Sequence, residues 1–136
     1  MIIEDRIKAF EKLGDFLMDF CNENSNSNHP LETIIQSSFS FNGWFTSSNI
    51  RSSISAICIN LSSTKLSSWL SSYSIPIEAK KNVSIIMAGN IPLVGFNDFL
   101  CVLMSGHRAI IKLSSKDNRL FLPIIEELII IEPRFK

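Results

Sequence analysis

The stretch SIIMAGNIPLVGFNDFLCVLMSGHRAIIKLSS, residues 84–115, decides the expected fold of this chain. It begins with a short apolar run, continues with a helical apolar pattern at 93–104, and ends with a second apolar run in RAIIKLS. Parallel strands need a long crossover connection, usually a helix, so this order is typical of a parallel pair. A further helical pattern covers 118–131. The sequence therefore predicts β-α-β-α, with adjacent parallel strands at 83–87 and 109–113.

Helical patterns dominate the residues that precede this unit. The first apolar series has spacings of three and four: Ile3, Ile7, Phe10, Leu13, Leu17 and Phe20. This spacing, with charged residues between, predicts an amphipathic helix over 4–21. Thr46 can cap a second helix that runs to about Leu61, and Ser63 or Thr64 can cap a third. The polar run CNENSNSNHP, ended by Pro30, is typical of a loop.

Composition limits the class of protein. The 136 residues, 46% of them hydrophobic, can bury one modest core. Thirteen basic and thirteen acidic residues cancel, and no basic stripe appears, which argues against a nucleic-acid partner. The charged N-terminus argues against a secretory signal peptide, and no apolar run is long enough to span a membrane. We expect a cytoplasmic protein.

Cysteine usage agrees with a reducing compartment. The three cysteines, Cys21, Cys58 and Cys101, are odd in number and share no C-x-x-C spacing. Neither a disulfide framework nor a zinc site with thiolate ligands is expected from this pattern.

A polar turn follows the first predicted strand and contains Ala88, Gly89 and Asn90. Ligands of parallel sheets bind just outside the carboxyl ends of the strands. Small residues at 88 and 89 would let a ligand approach the backbone, and Asn90 offers an amide donor. The alternative is that Asn90 only caps the following helix, in whose first turn Pro92 would fit.

A family resemblance extends this interpretation. Residues 85–115, from IIMAGNIPLVG to IIKLSS, resemble the opening of the cofactor domain in the aldehyde dehydrogenase superfamily, and in particular its acyl-CoA reductase branch of the LuxC type. The upstream segments NGWFTSSNI and LSSWLSSY are also similar to that branch. The resemblance implies an α/β fold, in which N-terminal helices precede the first βαβα of an incomplete Rossmann-like parallel sheet. It divides the chain into a helical region at 1–80 and the first half of an NAD(P)-binding domain at 81–136.

The same resemblance assigns roles to single residues. Asn90 takes the place of the asparagine that donates a hydrogen bond to the oxyanion during catalysis, and Lys112 that of the lysine that binds the adenosine ribose. The remaining cofactor-binding positions are Met87, Ala88, Gly89, Ser114 and Ser115. Many relatives have Ser-Glu where Ser114 and Ser115 stand. A glutamate carboxylate would repel the 2′-phosphate of NADPH, so its replacement by serine favours NADPH as the cofactor. His107 is expected to be a surface turn residue.

The reaction of the superfamily also needs a nucleophilic cysteine, which the resemblance places downstream of these strands. Cys101 lies among apolar residues, and we expect it to be a buried, inert thiol. The sequence thus predicts the N-terminal part of an enzyme that reduces an acyl-CoA or acyl-protein thioester to a fatty aldehyde with NADPH, a homo-oligomer when complete. This chain alone is expected to be inactive. The alternative is a truncated, non-catalytic relative that acts as an interaction module or has no function.

Overall fold

The computed structural model of the chain describes residues 1–22, 27–75 and 80–136. Within these ranges lie six α-helices and two β-strands: α1 (Ile3–Met18), α2 (Pro30–Ser37), α3 (Ser47–Asn60), α4 (Ser63–Leu70), β1 (Asn82–Ile86), α5 (Phe96–Met104), β2 (Arg108–Lys112) and α6 (Phe121–Ile131). Short 3-10 helices follow α2 at Ser38–Ser40 and α6 at Pro133–Phe135. The protein is a mixed α/β structure.

The two strands pair in parallel and form a two-stranded sheet. Asn82 lies opposite Arg108, and Ile86 lies opposite Lys112. The Met87 N–H extends the ladder by donating to the Lys112 carbonyl over 3.0 Å. The predicted parallel pair is therefore confirmed, and each strand begins and ends one residue earlier than the sequence indicated.

The sheet buries one face and leaves the other open. Ile85 and Met87 are buried, and α5 contacts both strands. Side chains alternate along a strand, so the neighbouring residues point to the opposite face, where Ile86 is 78% and Ile110 is 53% exposed. An exposed apolar face of this kind is expected when two strands lack further sheet or helix to cover them.

Helix α1 lies at the centre of the hydrophobic core. Its Phe10, Leu13 and Leu17 are fully buried, as the amphipathic pattern predicts. The helix packs against four others, α3, α4, α5 and α6. The Phe10 ring contacts the edges of Phe96 and Phe99 in α5, with ring centroids 6.5 and 6.2 Å away. The N-terminal helices and the βαβα unit therefore share a single core.

Several helix limits differ from the sequence prediction. Helix α3 is capped as expected, since Thr46 Oγ1 accepts from the Asn49 N–H at 3.1 Å. Helix α1 ends three residues early, α6 begins three residues late at Phe121, and the N-cap of α4 is Ser62. Pro30 begins helix α2, which the sequence analysis did not predict. Residues 23–26 of the polar loop lie outside the described residues.

Candidate functional site

Two turns lie side by side at the carboxyl ends of the strands. The first turn spans 87–95 and the second spans 113–120. A Cβ atom placed on Gly89 would lie 2.3 Å from Ser114 Oγ and 2.7 Å from Ser114 Cβ. Ser114 thus fills the space that a side chain at position 89 would occupy. The sequence analysis expected a ligand to approach the backbone there.

Replacing Gly89 with alanine is expected to lower the free energy of unfolding by about 1 to 3 kcal/mol, because the added methyl group overlaps the second turn. The measurement is urea denaturation. Gly43→Ala is the matched control, since a Cβ there would lie 4.0 Å from the nearest atom, which belongs to the Phe39 ring. The double variant Gly89→Ala/Ser114→Gly should regain most of the lost stability. Equal denaturation midpoints for the two single alanine variants would contradict this packing.

Asn42, in the segment between α2 and α3, links the two turns. Its Nδ2 donates to the carbonyl of Gly89 and to the carbonyl of Lys116, each over 3.3 Å. Its Oδ1 accepts from the Trp44 N–H at 3.1 Å. The sequence analysis gave Asn42 no role, and the only signal was its place in the NGWFTSSNI segment. Asn42 therefore holds the two strand ends together from outside the βαβα unit.

Asn90 is exposed in the first turn, and its side chain makes no hydrogen bond to the described residues. It does not cap the next helix, because α5 begins at Phe96 with Gly95 as its N-cap. The helix was predicted to begin at Leu93, but Leu93 has a φ of 58°, which a right-handed helix cannot contain. The amide of Asn90 is therefore free to donate to a ligand.

Asp117 in the second turn supports the conformation of the first. Its carboxylate is buried, and Oδ2 accepts from the Leu93 N–H at 3.2 Å. Oδ1 has no partner among the described residues. Burial raises the pKa of Asp117, and hydrogen bonds from the backbone N–H groups of Leu93 and Leu120 partly oppose that rise. The left-handed backbone conformation costs roughly 1 to 2 kcal/mol at Leu93, and the hydrogen bond from the Leu93 N–H to Asp117 offsets part of that cost.

A cavity of about 340 Å³ opens between the second turn and the segment after α2. We call it the strand-end cavity. Its polar wall includes Ser115, Lys116, Asn118 and Arg119. The Arg119 guanidinium carbon lies 3.9 Å from the centre of the Phe41 ring, which holds this cation at the cavity by a cation–π contact. The lining contains two cationic residues and one carboxylate, so its net charge is positive and the strand-end cavity is suited to an anion.

The structure separates the residues that the sequence analysis grouped as cofactor-binding. Ser115 lines the strand-end cavity, whereas Ser114 packs against Gly89 and its Oγ accepts from the Lys116 N–H at 3.2 Å. Lys112 ends β2 on the open face of the sheet, outside the cavity.

The first turn shows the same division. Met87 is buried, and its side chain fills the space where a Cβ on Gly95 would lie. Ala88 is exposed beside Asn90. Sequence reasoning missed Lys116 and Arg119, although both lie within five residues of the Ser-Ser pair.

His107 and Cys101 lie away from this site. His107 precedes β2, at the opposite end of the sheet, where its Nδ1 accepts from the Lys81 N–H at 3.4 Å. The expectation that Cys101 is buried was wrong, because the residue is exposed on the outer face of α5. Partial burial of the sulfur and the nearby Asp98 nevertheless raise the pKa of Cys101, which disfavours the reactive thiolate.

Residues 1–22, 27–75 and 80–136 contain no group of three or more His, Cys, Asp and Glu side chains that could hold a metal ion. None of the helices within them has the length and apolar character needed to cross a membrane. Among known proteins, no family model matches the chain, and no curated protein or solved structure is significantly similar to it.

Proposed function

We propose that this chain is the N-terminal portion of a cytoplasmic, NADPH-dependent acyl-CoA reductase with a Rossmann-like sheet. The reaction would reduce an acyl thioester to a fatty aldehyde. The observation that carries the proposal is the strand-end cavity, in which Ser115, Lys116 and Arg119 lie just beyond the carboxyl end of β2. Dinucleotides bind at this end of parallel strands in open α/β sheets.

The residues of the strand-end cavity fit the phosphorylated adenosine end of NADPH. A 2′-phosphate is an anion, for which Lys116 and Arg119 supply charge and Ser115 supplies a hydroxyl donor. Lys116 also follows the Ser-Ser pair directly, so the chain carries a cation close to the position where many relatives have a glutamate. When bound, NADPH supplies the hydride for the reduction. The chain itself supplies charge, donors and an apolar wall at Phe41.

Asn90 supports the same proposal from the first turn. Its amide N–H₂ is uncharged, exposed and without a partner among the described residues, which suits a donor to an oxygen that gains negative charge. In the proposed enzyme the nucleophilic cysteine lies outside residues 1–136, as the family resemblance implies. The raised pKa of Cys58 and of Cys101 disfavours their thiolates, and Cys21 lies beside α1 against Cys58 rather than at the strand ends. We therefore expect no reductase activity from this chain alone.

Arg119→Ala tests the cofactor site. Calorimetric titration of the chain should show tighter binding of NADPH than of NADH, and Arg119→Ala should weaken NADPH binding roughly 10- to 100-fold through loss of a charge-assisted contact. NADH binding should change little. Arg108→Ala is the matched control, because it removes the same charge at the amino end of β2. Equal affinity for the two cofactors, or equal effects of the two substitutions, would contradict the proposal.

The second candidate is a truncated, non-catalytic relative that acts as an interaction module. The open sheet face favours it, since Ile86 and Ile110 are more than half exposed there. Exposed apolar patches of this kind often mark interaction surfaces. Reading the encoding frame past Lys136 separates the two candidates: a continuing domain with a cysteine supports the reductase, and a stop codon supports the module.

A further inference from the structure

Two thiols from distant parts of the sequence lie in contact beside α1. Cys21 follows the end of α1, and Cys58 lies in the last turn of α3. Their Sγ atoms are 3.9 Å apart although the residues are 37 positions apart. Cys21 Sγ also donates to the Leu17 carbonyl at 3.7 Å, and Cys58 Sγ to the Gly14 carbonyl at 3.6 Å. Both sulfurs are thus held against α1 and face each other.

We propose that Cys21 and Cys58 form a reversible intramolecular disulfide and are a site of oxidative modification by low-molecular-weight disulfides. A disulfide needs its sulfurs about 2.05 Å apart, and the two Sγ atoms, now 3.9 Å apart, must move together to reach that distance. In a reducing cytoplasm such a bond would be transient and responsive to the redox state. The proposal is independent of the reductase function, so failure of either leaves the other intact.

The oxidation proceeds in two exchange steps, with glutathione disulfide as the oxidant. The Cys21 thiol first loses its proton to solvent, and the thiolate then attacks one sulfur of glutathione disulfide, which forms a mixed disulfide on Cys21 and releases one glutathione thiolate. Cys58 then loses its proton to solvent and attacks the Cys21 sulfur, which releases the second glutathione thiolate. Two protein thiols are oxidised to one disulfide, and one glutathione disulfide is reduced to two thiols.

The surroundings of Cys58 set the pH dependence of the second step. In the reduced chain, burial, the neighbouring Cys21 and the carboxylate of Asp15 together raise the pKa of Cys58 to about 12. Once Cys21 carries glutathione its contribution is gone, and burial and Asp15 still hold the pKa of Cys58 above its ordinary value. Disulfide closure should therefore accelerate as the pH rises from 7 to 9, because the thiolate fraction of Cys58 grows.

The bond would close a loop that contains helix α2 and join the end of α1 to α3. Closing a loop of this length restricts the unfolded chain, so we expect the oxidised protein to melt about 5 to 15 °C above the reduced one. The comparison needs no substitution, because both forms are made from the same chain.

The decisive experiment uses the Cys101→Ser chain, which lacks the third thiol. After incubation with glutathione disulfide at pH 8, mass spectrometry and peptide mapping should show a monomer with a Cys21–Cys58 disulfide that dithiothreitol reverses. The control Cys21→Ser/Cys101→Ser keeps only Cys58 and should form no intramolecular bond. Mixed disulfides alone, a bond between two chains, or no loss of thiols would each overturn the proposal. The proposal would also be overturned if the unsubstituted chain, after oxidation of its thiols, melted at the same temperature as the reduced chain.

Discussion

Replacing Glu32 with alanine is expected to lower the free energy of unfolding by about 3 to 5 kcal/mol. Glu32 in α2 pairs with Arg51 in α3, with Oε1 and Nη2 2.6 Å apart, and the two side chains are only 6% and 5% exposed. Removal of the carboxylate leaves a guanidinium charge buried without its counter-ion. Such a loss is a large share of the stability of a domain of this size.

The remaining contacts of Arg51 explain why it cannot easily relocate. Its Nη1 donates to the Phe20 carbonyl at 2.9 Å, and its Nε donates to Ser47 Oγ at 3.1 Å. The guanidinium therefore joins α2, α3 and the segment after α1 at one point. Breaking the pair should loosen all three elements together.

Urea denaturation measures the effect. Arg134→Ala is the control, because Arg134 pairs with Asp5 and Glu132 on the exposed surface, where ion pairs contribute little. Its midpoint should hardly move. The double variant Glu32→Leu/Arg51→Met removes both charges and should recover most of the stability. If Glu32→Ala unfolds at the wild-type urea concentration, the buried ion pair does not hold α2 in place.

Asn90→Ala should lower acyl reduction about 100- to 1000-fold in the full enzyme that the proposed function implies, and leave NADPH affinity nearly unchanged. The physical reason is that an amide donor aimed at the reacting oxygen acts mainly in the transition state. The Asn90 side chain makes no hydrogen bond to the described residues, so its loss removes no hydrogen bond from that part of the fold. Steady-state kinetics of the full enzyme measure the effect.

Lys112→Ala tests the role that the family resemblance gives to Lys112, which lies outside the strand-end cavity on the open sheet face. If its ammonium reaches the ribose of a cofactor bound at that cavity, the substitution should weaken cofactor binding about 5- to 150-fold through a lost charge-assisted hydrogen bond and leave the chemical step largely intact. Intact turnover in Asn90→Ala, with only a lower melting temperature, would show that Asn90 serves the turn alone. If Lys112→Ala leaves cofactor affinity unchanged, Lys112 is only a solvated charge on the open sheet face.

Patterns between residues close in sequence predicted the local elements well. Apolar runs of strand length, separated by a helix-length interval, predicted the parallel pair to within one residue. The three-and-four spacing from Ile3 to Phe20 predicted α1, and the position of Thr46 predicted the cap of α3. These features depend on interactions within one element or between consecutive ones. Helix α2 was missed because its eight residues are too few for a clear period and its N-cap is His29, which is not a usual capping residue. Helix α4 is equally short and was predicted from its candidate capping residues.

The sequence by itself determined the mixed α/β class, the order of the strands and helices around residues 84–115, and the turn that carries Asn90. Only the tertiary structure decided where the turns meet and which residues contact each other there. Examples are Ser114 against Gly89, Asp117 beneath Leu93, and Cys21 against Cys58. Each joins residues at least 24 positions apart, and no periodic pattern relates them. Such pairs form because the packing of α1 against every neighbouring helix fixes the distances between turns, and that packing is a property of the whole core.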